Sequence, residues 1–336
     1  MKTPDRKRLV FVYAKIVFAV LVVAWLFHKV DASLLWGNIR TAELRYIFTA
    51  FFLALLTVVI ASWRWQRLLS IFQISLPLRS LMCVAQIGQF FTMFLPGPTG
   101  DDLTRMIYVS RIASGRAAEA CTTVIIDRCL GLASILIFAT LCVPWQWRFL
   151  ATTPQTKWMA LGILITGILV CIFIIGFFIT GRPAQRWFER RLYSLPAPAF
   201  RDESARIWGL LCANKRVVAQ VAGAAVGTQL ILCAVFNLSG QAVGIQVSPL
   251  VWMSFVPIVL AANAVPITIA GLGVREYLLV LFLRVLAGVE SERALAASFI
   301  VFAITVAVCL LGGLIYIVYR PPTASATIQH LSRPLG

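Results

Sequence analysis

The chain has 336 residues, 60% of them hydrophobic and 13% charged, with a formal net charge of +17. A soluble domain carries about 25% charged residues, so this composition excludes an ordinary globular protein. Apolar runs of about 20 residues recur along the whole length and define an all-α polytopic membrane protein, because a transmembrane β-barrel would show alternating segments of about ten residues.

The first run, residues 9–28, follows a tail holding Lys2, Arg6, Lys7 and Arg8. It is long for a signal peptide and no small-residue cleavage site follows it, so it reads as an uncleaved span. Further full spans are expected at 45–62, 119–143, 158–180, 217–239 and 294–319. Two apolar segments behave differently. Residues 80–96 run into "PGPTGDD", and residues 250–266 run into "PITIAGLGVRE". Both are marginal for a crossing and end in a backbone break. The break falls at Pro96, Gly97 and Gly100 in the first, and at Pro266, Gly271 and Gly273 in the second. Each starts a hairpin, either re-entrant or fully spanning. The expected architecture is six full spans plus two broken hairpins, 8–10 membrane segments in one integral domain at 1–320, with a cytoplasmic tail at 321–336.

Lysine and arginine orient the chain. The N-terminal tail and the 181–216 loop, with eight such residues, belong in the cytoplasm, whereas 240–249 has none and belongs outside. Arg64, Arg67 and Arg79 then lie at the cytoplasmic end of the second span. The first hairpin enters from the cytoplasm and the second from outside. The order span, span, hairpin, span therefore occurs twice, the second copy inverted, in repeats at about 9–143 and 158–319. Pro96 precedes Arg105 by nine residues, Pro266 precedes Arg275 by nine, and the two pairs are 170 apart. Broken segments at matching points of inverted halves mark a transporter's binding site. Irregular backbone at membrane depth is tolerated where it lines a wet cavity, so the two hairpin tips are expected to meet at one.

The charged residues near the breaks are the candidate site. Asp101 and Asp102 start the second arm of the first hairpin, where they would complement the helix dipole or hold a cation, a proton or an amine headgroup. Arg105 and Arg275 sit at matching points of the two hairpins, suited to bind phosphate or to pair with acids, Glu276 among them. Asp127 and Arg128 fall about nine residues into a span, where charge is costly and faces the interior. As neighbours they point about 100° apart and need separate partners. Arg105 or Arg275 suits Asp127, and Asp101, Asp102 or Glu276 suits Arg128. Gln86, Gln89 and Asn263 serve either as helix–helix contacts or as ligands. Gly223 and Gly227 form a GxxxG of the packing kind. Residues 182–195 form either a basic interfacial helix or a plain cytoplasmic loop.

Several chemistries find no footing in the sequence. The positive charge sits between apolar runs and is explained by topology and anionic headgroups, not by nucleic acid. The eight cysteines are scattered without a CxxC, and the histidines are only His28 and His330, so no metal site or disulfide framework is indicated. No nucleotide, nucleophile-elbow or kinase motif marks a cofactor or a catalytic residue.

"FLPGPTGDDLTR", "IIDRCLG" and "VPITIAGLGVRE", in that order, resemble the lysylphosphatidylglycerol synthase transmembrane-domain family, the membrane part of the bacterial multiple peptide resistance factor. The resemblance spans about 10–320 and marks Pro96, Gly100, Asp101, Arg105, Asp127, Arg128, Gly271, Gly273, Arg275 and Glu276. Two small-residue swaps depart from the pattern, at Thr99-Gly100-Asp101 and at Ala270-Gly271, and Asp102 is an addition. The resemblance implies translocation of lipid between leaflets of the bacterial inner membrane, without the soluble lysyl-transfer domain of the larger members. Membrane lipids are the expected partners, with Arg105, Arg128 and Arg275 on a lipid phosphate. Asp101, Asp102, Asp127 and Glu276 would then line the polar cavity or carry a coupling proton. The alternative is a membrane-embedded transferase, or an accessory protein for a lipid-modifying enzyme or glycosyltransferase, acting on polyprenyl-phosphate or lipid headgroups.

Overall fold

The computed structural model describes residues 42–93, 99–113, 115–151, 154–192, 198–264 and 274–319. The expected span at 9–28, the tail at 321–336 and the break residues Pro96, Gly97, Pro266, Gly271 and Gly273 lie outside the described residues, as does the side chain of Asn263. Among the described residues every regular element is a helix. In chain order these are α1 (Leu44–Ile71), α2 (Leu78–Phe91), α3 (Thr99–Ile112), α4 (Ala117–Cys142), the short α5 (Trp147–Leu150), α6 (Pro154–Leu192), α7 (Pro198–Ala213), α8 (Lys215–Ala242), α9 (Pro249–Ala264), α10 (Val274–Ala287) and α11 (Ser291–Val318). The chain is an all-α polytopic membrane protein.

Five helical segments are long and apolar enough to cross a bilayer: α1, α4, α8, α11 and the Ala160–Phe177 part of α6. They coincide with the spans expected from hydropathy. Their outer faces are apolar. Leu44, Phe48, Phe52 and Leu56 recur every fourth residue on α1 and are exposed, as are Ile165, Leu169, Ile172 and Phe173 on α6. In water such a surface would drive aggregation; facing acyl chains it costs nothing. Trp145 and Trp158 are exposed at the turn between α4 and α6, where indoles favour the headgroup layer.

The described residues of the 181–216 stretch are largely helical. α6 runs on to Leu192, in place of a separate interfacial helix, and α7 fills Pro198–Ala213. The arginines, glutamates, alanines and leucines there are good helix formers, so polarity ends the membrane span without ending the helix.

The hairpins explain themselves by length. α2 and α3 have 14 residues each, and α9 and α10 have 16 and 14. At about 1.5 Å per residue the arms reach about 21–24 Å, short of an apolar core about 30 Å thick. Each described arm alone is thus shorter than a full crossing. Close approach of the arms depends on glycine. A Cβ on Gly100 would strike the backbone of Phe91, and one on Gly88 would strike the Asp101 carboxylate. The second hairpin is filled by aromatics: Phe255 stacks on Phe282 at 5.2 Å, and Trp252 lies against Gly240 of α8.

The helices pack in matched pairs. α1 packs on α8; α2 on α11, as α9 does on α4; α3 on α4, as α10 does on α11. α1 and α8 run antiparallel, because the Glu43 N–H at the start of α1 donates to the Ala242 carbonyl at the end of α8 (3.0 Å). Among the described residues, a Cβ on Gly223 or Gly227 would meet nothing within 4 Å.

Candidate functional site: a charged cavity at mid-depth

A cavity of about 340 Å³ opens where α1, α3, α4, α8 and α11 converge. Its lining includes Thr57 and Arg64 from α1, Asp101, Asp102 and Arg105 from α3, Asp127 and Arg128 from α4, Thr228 and Gln229 from α8, and Thr305 from α11. Thr57, Arg128, Thr228 and Thr305 lie near the middle of 26- or 28-residue helices, which puts the cavity near mid-membrane.

Asp127 is the hub. Arg64 donates Nε and Nη2 to its Oδ1 at 3.1 and 2.8 Å. Arg105 donates Nη1 to Oδ2 at 3.3 Å. The Arg105 Nε also donates to Asp101 Oδ1 at 2.8 Å, one helical turn back. The chain Arg64–Asp127–Arg105–Asp101 thus ties α1, α4 and α3 together. Isolated charges here would be prohibitive, but each has a geometrically good partner of opposite sign. Trp65 supports the chain from below: Arg105 sits over its ring at 5.4 Å, and its Nε1 donates to Thr123 Oγ1 at 3.0 Å.

The second pair is looser. Arg128 Nε stands 3.7 Å from Asp102 Oδ2, and the two side chains are 34% and 24% exposed. Arg64, Arg105 and Asp127 are all below 10% by the same measure. Asp127 and Arg128 do take separate partners, as neighbours on a helix must. Asp101 and Asp102 occupy the first turn of α3, so dipole compensation and cavity lining are combined in the same residues.

Two glutamines three residues apart do different jobs. Gln86 Nε2 donates to the Val308 carbonyl at 2.6 Å and fastens α2 to α11, whereas Gln89 lines the cavity. Across the cavity Gln229 is 4% exposed. Its Nε2 donates to Ser134 Oγ (3.3 Å), while Ser134 donates to the Gly131 carbonyl (2.7 Å). Gln229 Oε1 is buried and has no hydrogen-bond partner among the described residues.

Arg275 and Glu276 are not among the described residues that line this cavity. Arg275 Nη2 lies 2.6 Å from Glu276 Oε1, Ser298 Oγ donates to the same oxygen at 3.3 Å, and the guanidinium covers Phe302 at 5.5 Å. The second hairpin thus repeats the arginine of the first in an apolar, self-paired setting. Arg64 corrects the charge count made from sequence. Placed there with the cytoplasmic arginines, it is 7% exposed and bound to Asp127. α1 continues two turns past residue 62, so Arg64 lies inside a helix and not beyond a span's end. The flanking Trp63 and Trp65 were the available signal, since an arginine bracketed by indoles suits a partly apolar setting. Gln229 carried no comparable signal.

Fold and cavity together define a multi-pass α-helical membrane protein built around a buried ionic cluster. The family model described as "Lysylphosphatidylglycerol synthase TM region" matches residues 12–313, and the chain belongs to that family. Membership gives it a role connected with membrane lipids. No curated protein matches the sequence.

Proposed function

We propose that this protein moves a phosphate-bearing lipid between leaflets, with the headgroup passing through the charged cavity. One observation carries the reading: arginines, acids and hydroxyls line an open cavity near the centre of helices that otherwise face lipid. A headgroup crossing the bilayer needs such polar replacement for water at mid-depth, because unsatisfied polar groups there cost several kcal/mol each. A purely structural ion cluster would be closed, whereas Arg128 and Asp102 stay partly exposed.

Two repeats in opposite orientation support the same reading. We infer that 9–143 and 158–319 are inverted copies, from the antiparallel α1–α8 pair and the matched packing of α2 on α11 and α9 on α4. The cavity sits where they meet, the usual place for a transported headgroup in such folds. With basic residues inside, the N-terminus is cytoplasmic, and the resemblance to the membrane part of the bacterial multiple peptide resistance factor supports the bacterial inner membrane. Arg128 is the phosphate donor, Arg105 stands behind it in the ionic chain, and Arg275 serves the hairpin of the other face.

Leaflet exchange of an acyl-labelled phospholipid in proteoliposomes tests this. Exchange above protein-free vesicles, with the lipid chemically unchanged, is the expected result. A lipid of altered mass would move the protein to the transferase class.

A further inference from the structure

The cavity's charges cancel: Arg64, Arg105 and Arg128 face Asp101, Asp102 and Asp127. A headgroup with a net charge would leave one unbalanced charge in a poorly solvated space. A headgroup with both signs would not.

We propose that the cavity takes a lipid headgroup of zero net charge that carries one phosphodiester and one primary ammonium. The inference rests on the reading that the cavity handles lipids, and it names the class. The phosphodiester displaces Asp102 from Arg128, and the ammonium takes Asp102 in exchange. This pair opens at least cost: at 3.7 Å it is beyond hydrogen-bond length, and it is the most exposed charge pair of the site. The Arg64–Asp127–Arg105–Asp101 chain stays closed behind it.

Gln229 supplies the second, independent sign. Ser134 spends its hydrogen on the Gly131 carbonyl and can only accept from Gln229, which fixes the amide orientation. The free end is therefore the acceptor, Oε1, buried and unpartnered among the described residues in a side chain that lines the cavity. An acceptor asks for a donor. A primary ammonium has three N–H groups for Asp102 and Gln229, whereas a quaternary ammonium has none. A phosphate alone would bring only more acceptors.

The test is binding of short-chain lipids to the full-length protein in detergent, read by tryptophan fluorescence. Dihexanoyl phosphatidylethanolamine should bind at least about tenfold tighter than dihexanoyl phosphatidylglycerol or phosphatidylcholine, the equivalent of about 1.4 kcal/mol. Glycerophosphoethanolamine, the same headgroup without chains, should bind about tenfold weaker than the lipid. Asp102→Asn leaves the cavity one positive charge and should invert the preference toward phosphatidylglycerol, while Asp102→Glu keeps it. Equal or tighter wild-type binding of phosphatidylglycerol or phosphatidylcholine overturns the assignment without any variant having to fold. Equal binding of the chain-free headgroup overturns it in favour of a soluble ligand. Ethanolamine preference without leaflet exchange upholds the headgroup class and removes the translocation reading instead.

Discussion

Arg64 on α1 grips one oxygen of Asp127 on α4 with two nitrogens, at 3.1 and 2.8 Å, across 63 residues of sequence. The other oxygen of Asp127 receives Arg105. Breaking one side of such a buried pair strands a charge and costs about 3–5 kcal/mol, whereas replacing both sides is often close to neutral. Arg64→Met and Asp127→Asn should each lower the detergent melting temperature strongly. The double variant should lose less than the two single losses added, with a coupling of about 0.5–3 kcal/mol. Additive losses in the double variant would show that the pair contributes little as a pair.

Arg105 bridges Asp101 and Asp127 through different nitrogens of one guanidinium. Lysine offers a single point of charge and cannot span both. Arg105→Lys should cut leaflet exchange at least about tenfold while keeping the net charge, about 1.4 kcal/mol on the barrier. Exchange at the wild-type rate would mean that charge alone, and not the bridge, is required.

Gly88 and Gly100 let the hairpin arms touch, but an added methyl meets different things. At Gly100 it strikes Phe91 backbone, and at Gly88 it strikes the Asp101 side chain along with its Cα. Overpacking of the first kind costs about 1–3 kcal/mol or more because backbone must move. Gly100→Ala should reduce folded yield in membranes. Gly88→Ala should fold but dislodge Asp101 from Arg105, so exchange falls further than melting temperature does. Normal yield and activity in both would contradict the tight hairpin.

Gln86 and Gln89 allow a clean separation of structure from function. Gln86→Leu removes a buried hydrogen bond to α11 and should cost about 1 kcal/mol of stability with exchange intact. Gln89→Leu should leave melting unchanged and alter exchange, since Gln89 lines the cavity. The reverse pattern would require the two roles to be swapped.

Much of this was legible in the sequence because the bilayer imposes length and polarity limits on every span. The starts of α4, α8 and α11 fall within about three residues of the expected ones, and Asp127 and Arg128 announce a buried site by their depth. What the sequence hides is where helices go beyond the apolar slab. α1 carries Arg64 past its apolar run, and α6 continues to Leu192 through charged residues, because helix propensity is indifferent to the membrane boundary. Nor does sequence spacing reveal which of two matching arginines meets the cavity. Arg105 and Arg275 are equivalent by offset, yet among the described residues only Arg105 finds an acid on a neighbouring helix; the places matching Asp127 and Arg128 are held by Ala297 and Ser298.

The most direct test of the cavity as the lipid path is to fill it. A Cβ on Gly131, which lines the cavity, would meet only Arg64 Nη2 within 4 Å, at an ordinary 3.8 Å, so a larger side chain there starts into the cavity. Leaflet exchange in proteoliposomes should then be measured for Gly131→Phe beside Leu169→Phe, a change on the exposed outer face of α6. The account predicts that Gly131→Phe falls to the level of protein-free vesicles while remaining folded, and that Leu169→Phe exchanges like wild type. Wild-type exchange by a folded Gly131→Phe protein would contradict passage through this cavity.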